Sequence, residues 1–297
     1  LEEAFSKQID FFIQKMTRLC EEVERAHQVH LPSPFLSSVV SDCLETGTDV
    51  TAGGARYNLS GIQAIQVANI ADSLEVLRHL VFSEGSVGKK EMLDALLSDF
   101  GGKELLRQRC IHRVRKYGND EADVDELGAV WIRYFSQVLG RYRNIRGGRY
   151  HVGLYTVSAH VPMGKNVAAT PDGRLSGTPL ADGGISPMYG RDKAGPTAVL
   201  NSASRLPFRL ASNGTLLNMK FLPSFFRSED DLKNFCWLLR AFMELGIHHI
   251  QFNVVTEEDL LRAQAFPEQY RGLTIRVAGY TAYFTELAGE LQNEIIK

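Results

Sequence analysis

The residue with the most suggestive chemistry is a glycine near the carboxyl end, Gly279. It follows the apolar stretch Leu273–Val277, which predicts a strand, and Tyr280 and Phe284 come soon after it. A turn from that strand into a helix through Ile296 would explain the glycine, because glycine adopts backbone angles that a side chain forbids. The α-carbon of a glycine can also be approached from both faces. A radical left on it would be stabilised by the adjoining amide nitrogen and carbonyl together, so the sequence at this point allows either role.

Other classes of site find little support. The sequence has no G-x-x-x-x-G-K-[ST] motif and no G-x-G-x-x-G motif after a strand, so nucleotide binding is not predicted. His248 and His249, like the scattered histidines, lack the helical spacing of paired metal ligands, and we expect no metal site. The sequence contains neither a G-x-S-x-G motif nor an obvious Cys-His pair at a helix start, so a hydrolase is not predicted.

Composition narrows the class of protein further. The 297 residues contain 33 Lys and Arg against 35 Asp and Glu, and a net charge of −2 argues against binding to nucleic acid or to an anionic membrane. Hydrophobic residues make up 44% and charged residues 23%, which is typical of globular proteins. No apolar stretch approaches the ~20 residues of a membrane span. We therefore expect a soluble protein without nucleic-acid or membrane partners.

Four cysteines lie far apart in the sequence. None forms a C-x-x-C pair, and we expect them to be buried thiols of a reducing cytosol, which predicts a cytoplasmic location. These residues are Cys20, Cys43, Cys110 and Cys236.

The elements that would position Gly279 change character along the chain. Apolar residues recur every three or four positions over Phe5–Val23 and again over Asp123–Tyr142, so the first half is predicted to be largely helical. After Arg146 the sequence becomes rich in β-forming residues. Between Gly164 and Pro196 glycine and proline recur every few residues, which is typical of functional loops.

The second half follows a strand, helix, strand order. Strands are predicted near Leu216–Leu222 and His249–Val255, and Ser228 is followed by three acidic residues, as at a helix N-terminus. This order predicts a parallel βαβ unit and therefore an α/β fold.

Against this background, Arg276-Val277-Ala278-Gly279-Tyr280, with Phe284 four residues on, resembles the glycyl radical motif of the glycyl radical enzymes. That family includes pyruvate formate-lyase, glycerol dehydratase and choline trimethylamine-lyase. Other segments resemble the family's long loops, in the family's order and over essentially the whole chain. They are Thr51–Asn58, Thr170–Arg174, Thr178–Gly183, Ile185–Pro187, Gly195–Ala198 and Asn201-Ser202.

The resemblance implies a fold and a division of the chain. Family members share a ten-stranded α/β barrel of two five-stranded halves, in which a glycine loop and a cysteine loop meet at the centre. Residues 1–145 are then expected to form a mainly helical part of the barrel domain that follows the cysteine loop. Residues 146–255 supply barrel strands and long loops, and residues 256–297 form the C-terminal glycyl radical domain.

The resemblance also implies the chemistry. A separate activating enzyme, which uses S-adenosylmethionine and an iron–sulfur cluster, removes a hydrogen from the glycine, so no cofactor is bound. The stored radical oxidises a cysteine to a thiyl, which abstracts hydrogen from the substrate. Carried over to this sequence, Gly279 is the radical site and Arg276, Val277, Tyr280 and Phe284 form its environment. The apolar flanks, which include Ile275, are expected to exclude oxygen and water from Gly279.

One part of the family pattern is missing. No loop of the G-C-x-E type precedes the first helix, and Cys20 falls inside a regular helical pattern rather than at a loop tip. We therefore expect the chain to be the C-terminal part of a longer enzyme, inactive without the remainder that carries the cysteine loop.

Substrate contacts are expected on the strand that Val152–His160 resembles. Tyr155, Thr156 and Ser158 are the candidates, and strand alternation predicts that Thr156 and Ser158 point to one side and Tyr155 to the other. A hydroxyl-lined face suits a small polar substrate such as a diol or an amino alcohol. Packing of these Thr and Ser side chains against a neighbouring strand would explain their presence equally well.

Three functions remain open at this stage. A radical lyase of the dehydratase type is the first, and Ala278 together with the GGARYN and PDGR loops favours it. Acyl transfer of the pyruvate formate-lyase kind is the second, which needs two adjacent cysteines. A non-catalytic radical-domain module is the third. The sequence is compatible with a homodimer.

Overall fold

The structure is a computed structural model and describes residues 1–277 and 279–296. Contacts divide the chain into two compact units. The first comprises Leu1–Gln63, Trp131–Gly153 and Arg209–Asn213. The second comprises Ala64–Val130, Leu154–Phe208 and Gly214–Lys297.

Helices dominate the first half, as the apolar periodicity predicts. The first helix, Glu2–His30, is amphipathic as expected and extends beyond the predicted Phe5–Val23 at both ends. A π-helical segment, Leu77–Ser83, continues the fourth helix. The helices are α1 Glu2–His30, α2 Pro34–Val39, α3 Cys43–Thr46, α4 Val67–Val76, α5 Lys89–Leu97, α6 Glu104–His112, α7 Ala122–Leu139, α8 His160–Lys165, α9 Pro196–Ser204, α10 Glu229–Glu244, α11 Glu257–Ala265 and α12 Gly289–Ile296.

The strands pair two by two in the described part of the chain. They are β1 Ser60–Gln63, β2 Tyr150–Gly153, β3 Leu217–Phe221, β4 Ile250–Val254, β5 Thr274–Arg276 and β6 Thr281–Tyr283. Strand β1 runs parallel to β2, and β3 runs parallel to β4. Because α10 connects β3 to β4, the predicted parallel βαβ unit is confirmed, and the fold is mixed α/β.

Gly279 does not lie in a direct turn from a strand into a helix, which is one of the two explanations that the sequence allows. Strand β5 is followed by an antiparallel partner, β6, with Arg276 opposite Thr281, and α12 begins only at Gly289. Gly279 therefore lies in the turn of a β-hairpin.

The segment after β4 has an apolar core of its own. Ile275, Val277 and Phe284 of the hairpin region pack with side chains of the two flanking helices, and each is at most 7% exposed. The helical members of this cluster are Leu260, Ala263 and Ile295. Burial of these apolar side chains anchors the hairpin to α11 and α12.

The glycine- and proline-rich region 164–196 is ordered by a buried arginine. The Arg174 guanidinium donates hydrogen bonds to the carbonyls of four loop residues, and the nearby Asp172 accepts from Asn69 Nδ2 at 2.9 Å. The four carbonyls belong to Val167, Ala168, Leu175 and Thr178. These contacts connect four carbonyls of the loop through one side chain.

The cysteines are only partly as expected. Cys43 and Cys110 are buried, Cys20 is half-buried, and Cys236 is exposed on α10, so the expectation of four buried thiols is wrong. Among the described helices, none is both long and apolar enough to cross a membrane.

Candidate functional site

The turn that contains Gly279 connects two short strands. The Val277 amide donates a hydrogen bond to the Tyr280 carbonyl at 3.0 Å and thereby closes the loop. Gly279 has a φ of +80°, a value that favours glycine in the left-handed region of a turn. Ala278, one of the residues that favour the lyase branch, lies outside the described residues.

Backbone conformation, and not crowding, is what favours glycine at this position. A Cβ added to Gly279 would meet no heavy atom within 4 Å. Gly246, at the C-terminal end of α10, shares both features, with a φ of +68° and open space around its α-carbon. The α-carbon of Gly279 is therefore open on the side where a Cβ would lie, and the residue is exposed.

Two carboxamide side chains of β4 hold the hairpin backbone. Gln251 Nε2 donates to the Val277 carbonyl at 2.9 Å, and the Gly279 amide donates to Gln251 Oε1 at 2.8 Å. Asn253 Nδ2 donates to the Arg276 carbonyl at 2.7 Å, and the Arg276 amide donates to Asn253 Oδ1 at 2.8 Å. Residues 251 and 253 lie on one face of β4, since side chains alternate along a strand.

The expected enclosure of Gly279 is present on one side only. Val277 and Phe284 are buried, at 7% and 0% exposure, but Tyr280 is 42% exposed and Gly279 itself is exposed. Arg276 is also exposed, and its Nη1 donates to Thr281 Oγ1 at 3.1 Å across the hairpin. The outer face of the hairpin turn is open in this chain, so the role of Tyr280 in shielding the glycine stays a prediction.

The candidate substrate residues lie in a different segment, after β2. These residues do not alternate as in a strand, since β2 ends at Gly153 and the chain bends at Val157, a β-branched residue with an unusual φ of +53°. Thr156 is buried, whereas Tyr155 and Ser158 are half-buried. The Tyr155 ring lies 3.5 Å from where a Cβ of Gly214 would be.

A chain of polar contacts runs from these residues to the last helix. Thr156 donates its amide proton to the Gly183 carbonyl at 2.9 Å, and its hydroxyl lies 3.4 Å from His160 Nδ1. His160 Nε2 in turn lies 3.3 Å from Glu294 Oε2 on α12, and both side chains are largely buried. The candidate substrate segment is thus tied to the segment that carries Gly279.

A cleft of about 840 Å³ opens beside β3. Asp182, Asn218, Lys220 and Glu294 supply polar groups to it, and side chains such as Phe221 supply apolar surface. Burial and the neighbouring Glu294 raise the pKa of Asp182, although Asn218 Nδ2 donates to that carboxyl at 2.9 Å. A cleft with few polar groups among apolar ones can hold a small polar molecule.

Cys20 is placed as the sequence predicts. It lies inside the regular helix α1, and burial and the nearby Glu24 raise the pKa of its thiol. A raised pKa lowers the thiolate fraction and hence the reactivity. Within residues 1–277 and 279–296, no group of three or more His, Cys, Asp or Glu residues is arranged to hold a metal ion.

Sequence reasoning missed Gln251 and Asn253. The signal that could have found them is the pattern Gln-Phe-Asn within a predicted strand, where amide side chains at alternate positions interrupt an apolar run. Polar side chains that face the interior of a sheet need hydrogen-bond partners, and a neighbouring turn is one source of them.

Two family models match this chain, and known proteins are similar to it in sequence. The family model described as "Pyruvate formate lyase-like" matches residues 1–164, and the model described as "Glycine radical" matches residues 181–285, which include Gly279. The sequence is 40% identical to the probable dehydratase YbiW of Escherichia coli (strain K12) and 38% identical to the trans-4-hydroxy-L-proline dehydratase of Clostridioides difficile, over 99% of this chain in each case.

A solved structure is similar throughout. The glycerol-bound form of the B12-independent glycerol dehydratase from Clostridium butyricum matches 99% of this chain at 41% identity, with a TM-score of 0.95. The chain spans about 37% of the length of each of these three proteins.

Proposed function

The chain belongs to the pyruvate formate lyase-like family of glycyl radical enzymes, and from this premise we propose that it is the radical-bearing part of a dehydratase or lyase. In this proposal Gly279 carries the radical, and Arg276, Val277, Tyr280 and Phe284 form its surroundings. The observation that carries it is the position of Gly279, at a φ of +80° in a hairpin turn with open space around its α-carbon, within the region that matches the glycine radical model.

The named activities of relatives support elimination over acyl transfer. The similar proteins include dehydratases for trans-4-hydroxy-L-proline, for (2S)-3-sulfopropanediol and for glycerol. We infer a small polar substrate that bears a hydroxyl group and loses a polar group from the neighbouring carbon. Tyr155, Thr156 and Ser158 are the proposed substrate contacts, supported by the half-buried position of Tyr155 and Ser158.

The proposed fold is the ten-stranded barrel of the family, to which β1–β4 would contribute strands. The proposed glycyl radical domain, residues 256–297, is supported by the separate apolar core around Phe284. Residues 1–145 and 146–255 would be the helical and strand-bearing parts of the barrel domain.

The exposed face of Gly279 requires a cover. We propose that segments carrying the cysteine loop supply it, since a radical exposed to oxygen would not persist. Without them this chain would hold the radical only under anaerobic conditions and would not turn over substrate. The proposed activating partner is a radical S-adenosylmethionine enzyme with an iron–sulfur cluster. This enzyme would modify the glycine itself, so the proposal includes no bound cofactor. We place the reaction in the cytoplasm.

Anaerobic activation tests the proposal. The protein is incubated with the activating enzyme, S-adenosylmethionine and a reductant, and its EPR spectrum is recorded. We expect a doublet, because the remaining α-hydrogen of Gly279 couples to the unpaired electron. Exposure to air should then cleave the chain at Gly279, which mass spectrometry of the fragments detects.

The matched variants are Gly279→Ala and Gly246→Ala. Both place a methyl group at a positive-φ position with open space around it, so both carry similar backbone strain. The first should abolish the doublet and the cleavage, and the second should retain them. An intact chain without a doublet after activation and air exposure would refute the assignment of Gly279.

A further inference from the structure

The Gln251 carboxamide makes two hydrogen bonds to the backbone of the hairpin turn, one to Val277 and one to Gly279, the proposed radical site. Its Nε2 donates to the carbonyl of Val277 and its Oε1 accepts the amide proton of Gly279, at 2.9 and 2.8 Å. We propose that Gln251 is a positioning residue of the glycyl radical, and that its Oε1 stabilises the radical through the Gly279 amide. This inference rests on the proposed function.

The geometry makes the contact specific. Gln251 is 5% exposed and is the second residue of β4, where it pairs in parallel with Asn218 of β3. Both polar atoms of its side chain are used by the turn. A single rigid strand therefore sets the position of the Gly279 amide, while the α-carbon beside it remains open.

The chemistry predicts that the contact strengthens when the radical forms. Removal of an α-hydrogen breaks the C–H bond homolytically. The hydrogen atom, with one electron, goes to a carbon-centred radical supplied by the activating enzyme, and the other electron stays on the Gly279 α-carbon. The amide nitrogen then shares its lone pair with that carbon and becomes more positive. Its N–H becomes a better donor, so an acceptor at 2.8 Å stabilises the radical more than it stabilises the intact glycine.

Two other carboxamide side chains, those of Asn253 and Gln292, allow this role to be distinguished from ordinary support of the hairpin. Asn253 holds Arg276, three residues before Gly279. Gln292, which is 8% exposed, donates Nε2 to the Phe284 carbonyl at 2.9 Å within the same C-terminal segment. Gln292 therefore offers a control of the same residue type, with similar burial and a backbone carbonyl as partner, but without contact to Gly279.

Two variants and two measurements test the proposal. Gln251→Met and Gln292→Met each remove one buried carboxamide at nearly constant size. Before activation, amide hydrogen exchange is followed by mass spectrometry or NMR. Gln251→Met should accelerate exchange at Gly279 about tenfold, the factor expected from the loss of one net hydrogen bond. Gln292→Met should leave exchange at Gly279 within about twofold of the wild type.

After anaerobic activation of protein labelled with [15N]glycine, EPR reports the radical. Gln251→Met should change the nitrogen hyperfine coupling and lower the radical yield or lifetime by about tenfold. Gln292→Met should show the wild-type coupling even where its stability is reduced. A purely structural role would leave the coupling unchanged in both variants.

The outcomes separate this proposal from the one on which it rests. No doublet in the wild-type protein would refute Gly279 as the radical site. A wild-type doublet together with an unchanged coupling and yield in Gln251→Met would refute the role of Gln251 alone. An equal loss of radical in both variants with an unchanged coupling would also overturn it, because general loosening of the segment would then be sufficient.

Discussion

Asp72 shows how strongly burial acts on single residues of this fold. The carboxyl is fully buried, and its Oδ1 accepts the Tyr117 amide proton at 2.8 Å. Burial raises its pKa from 3.8 to about 7, although attraction to Lys116 and the Tyr117 hydrogen bond oppose that rise. The folded state therefore binds a proton more tightly than the unfolded state does.

The sign of the pH dependence follows from linkage. Because the folded pKa is the higher one, the contribution of Asp72 to stability is fully present below pH 3.8 and is lost as the pH rises towards about 7. The loss is on the order of 4 kcal/mol. Asp72→Asn keeps an acceptor for Tyr117 and cannot ionise. We expect its free energy of unfolding, measured in urea, to fall much less between pH 4 and pH 7.

Asp120→Asn is the control for that measurement. Hydrogen bonds from Asn201 and Arg205 lower the pKa of Asp120 below 3.8, so its removal should change the slope of stability against pH only below about pH 4. The same slope between pH 4 and pH 7 in Asp72→Asn and in the wild type would show that Asp72 does not ionise in that range.

How far single residues could be predicted depends on what they contact. Gly279 could be singled out because its neighbours in sequence form a motif, and its positive φ agrees with the expected role of a glycine in a turn. Gln251 could not, because its partners lie 26 and 28 positions away. A buried amide in a strand indicates that partners exist but does not identify them.

Individual helices begin where the sequence predicts when a cap is present. Ser228 Oγ accepts the Asp231 amide proton at 3.1 Å, and Asp231 Oδ2 accepts the Ser228 amide proton at 3.0 Å, so α10 begins with a capping box. Ser228→Ala should lower the free energy of unfolding by about 1 kcal/mol. Urea denaturation measures it, and Ser228→Asp, which can also cap, should lose only a few tenths of that. Equal losses in both variants would show that the cap is not the cause.

One strand of three residues escaped the same reasoning. Strand β6 is Thr281-Ala282-Tyr283, too short to display an alternation, and it forms only because β5 lies opposite. The expected continuation of β2 to His160 failed for a related reason. The bend at Val157 places a β-branched residue at φ +53°, a conformation that its own sequence disfavours and that surrounding contacts must impose.

Enclosure of a reactive group is a property of the whole molecule. The apolar residues around Gly279 predicted a shielded site, and Val277 and Phe284 are indeed buried, but Tyr280 is not. Apolarity alone cannot say which neighbour covers a side chain. The chain spans about 37% of the length of similar proteins. The cover for Gly279 is proposed, and the described residues leave its outer face exposed.

Attachment of the C-terminal segment to the rest of its unit depends on pairs of very different burial. Two glutamates one turn apart on α12 both face α8. Glu294 pairs with His160 at 3.3 Å, with side-chain exposures of 15% and 4%. Glu290 pairs with Lys165, with exposures of 61% and 49%. An exposed pair contributes little, whereas loss of one partner from a buried pair leaves the other unsatisfied.

We therefore expect Glu294→Ala to destabilise α12 by about 1–3 kcal/mol and Glu290→Ala by less than about 0.5 kcal/mol. Hydrogen exchange of residues 289–296 measures both effects in one experiment. Protection of β1 and β2, which belong to the other compact unit, serves as the internal reference. Repulsion between Glu294 and Asp182 raises the pKa of Asp182, and Glu294→Ala removes that repulsion. If the two variants exchange alike, this gain would have offset the loss of the pair with His160. Attachment of the segment would then depend on its apolar core around Phe284 and on the hydrogen bond from Lys220 Nζ to the Ile295 carbonyl.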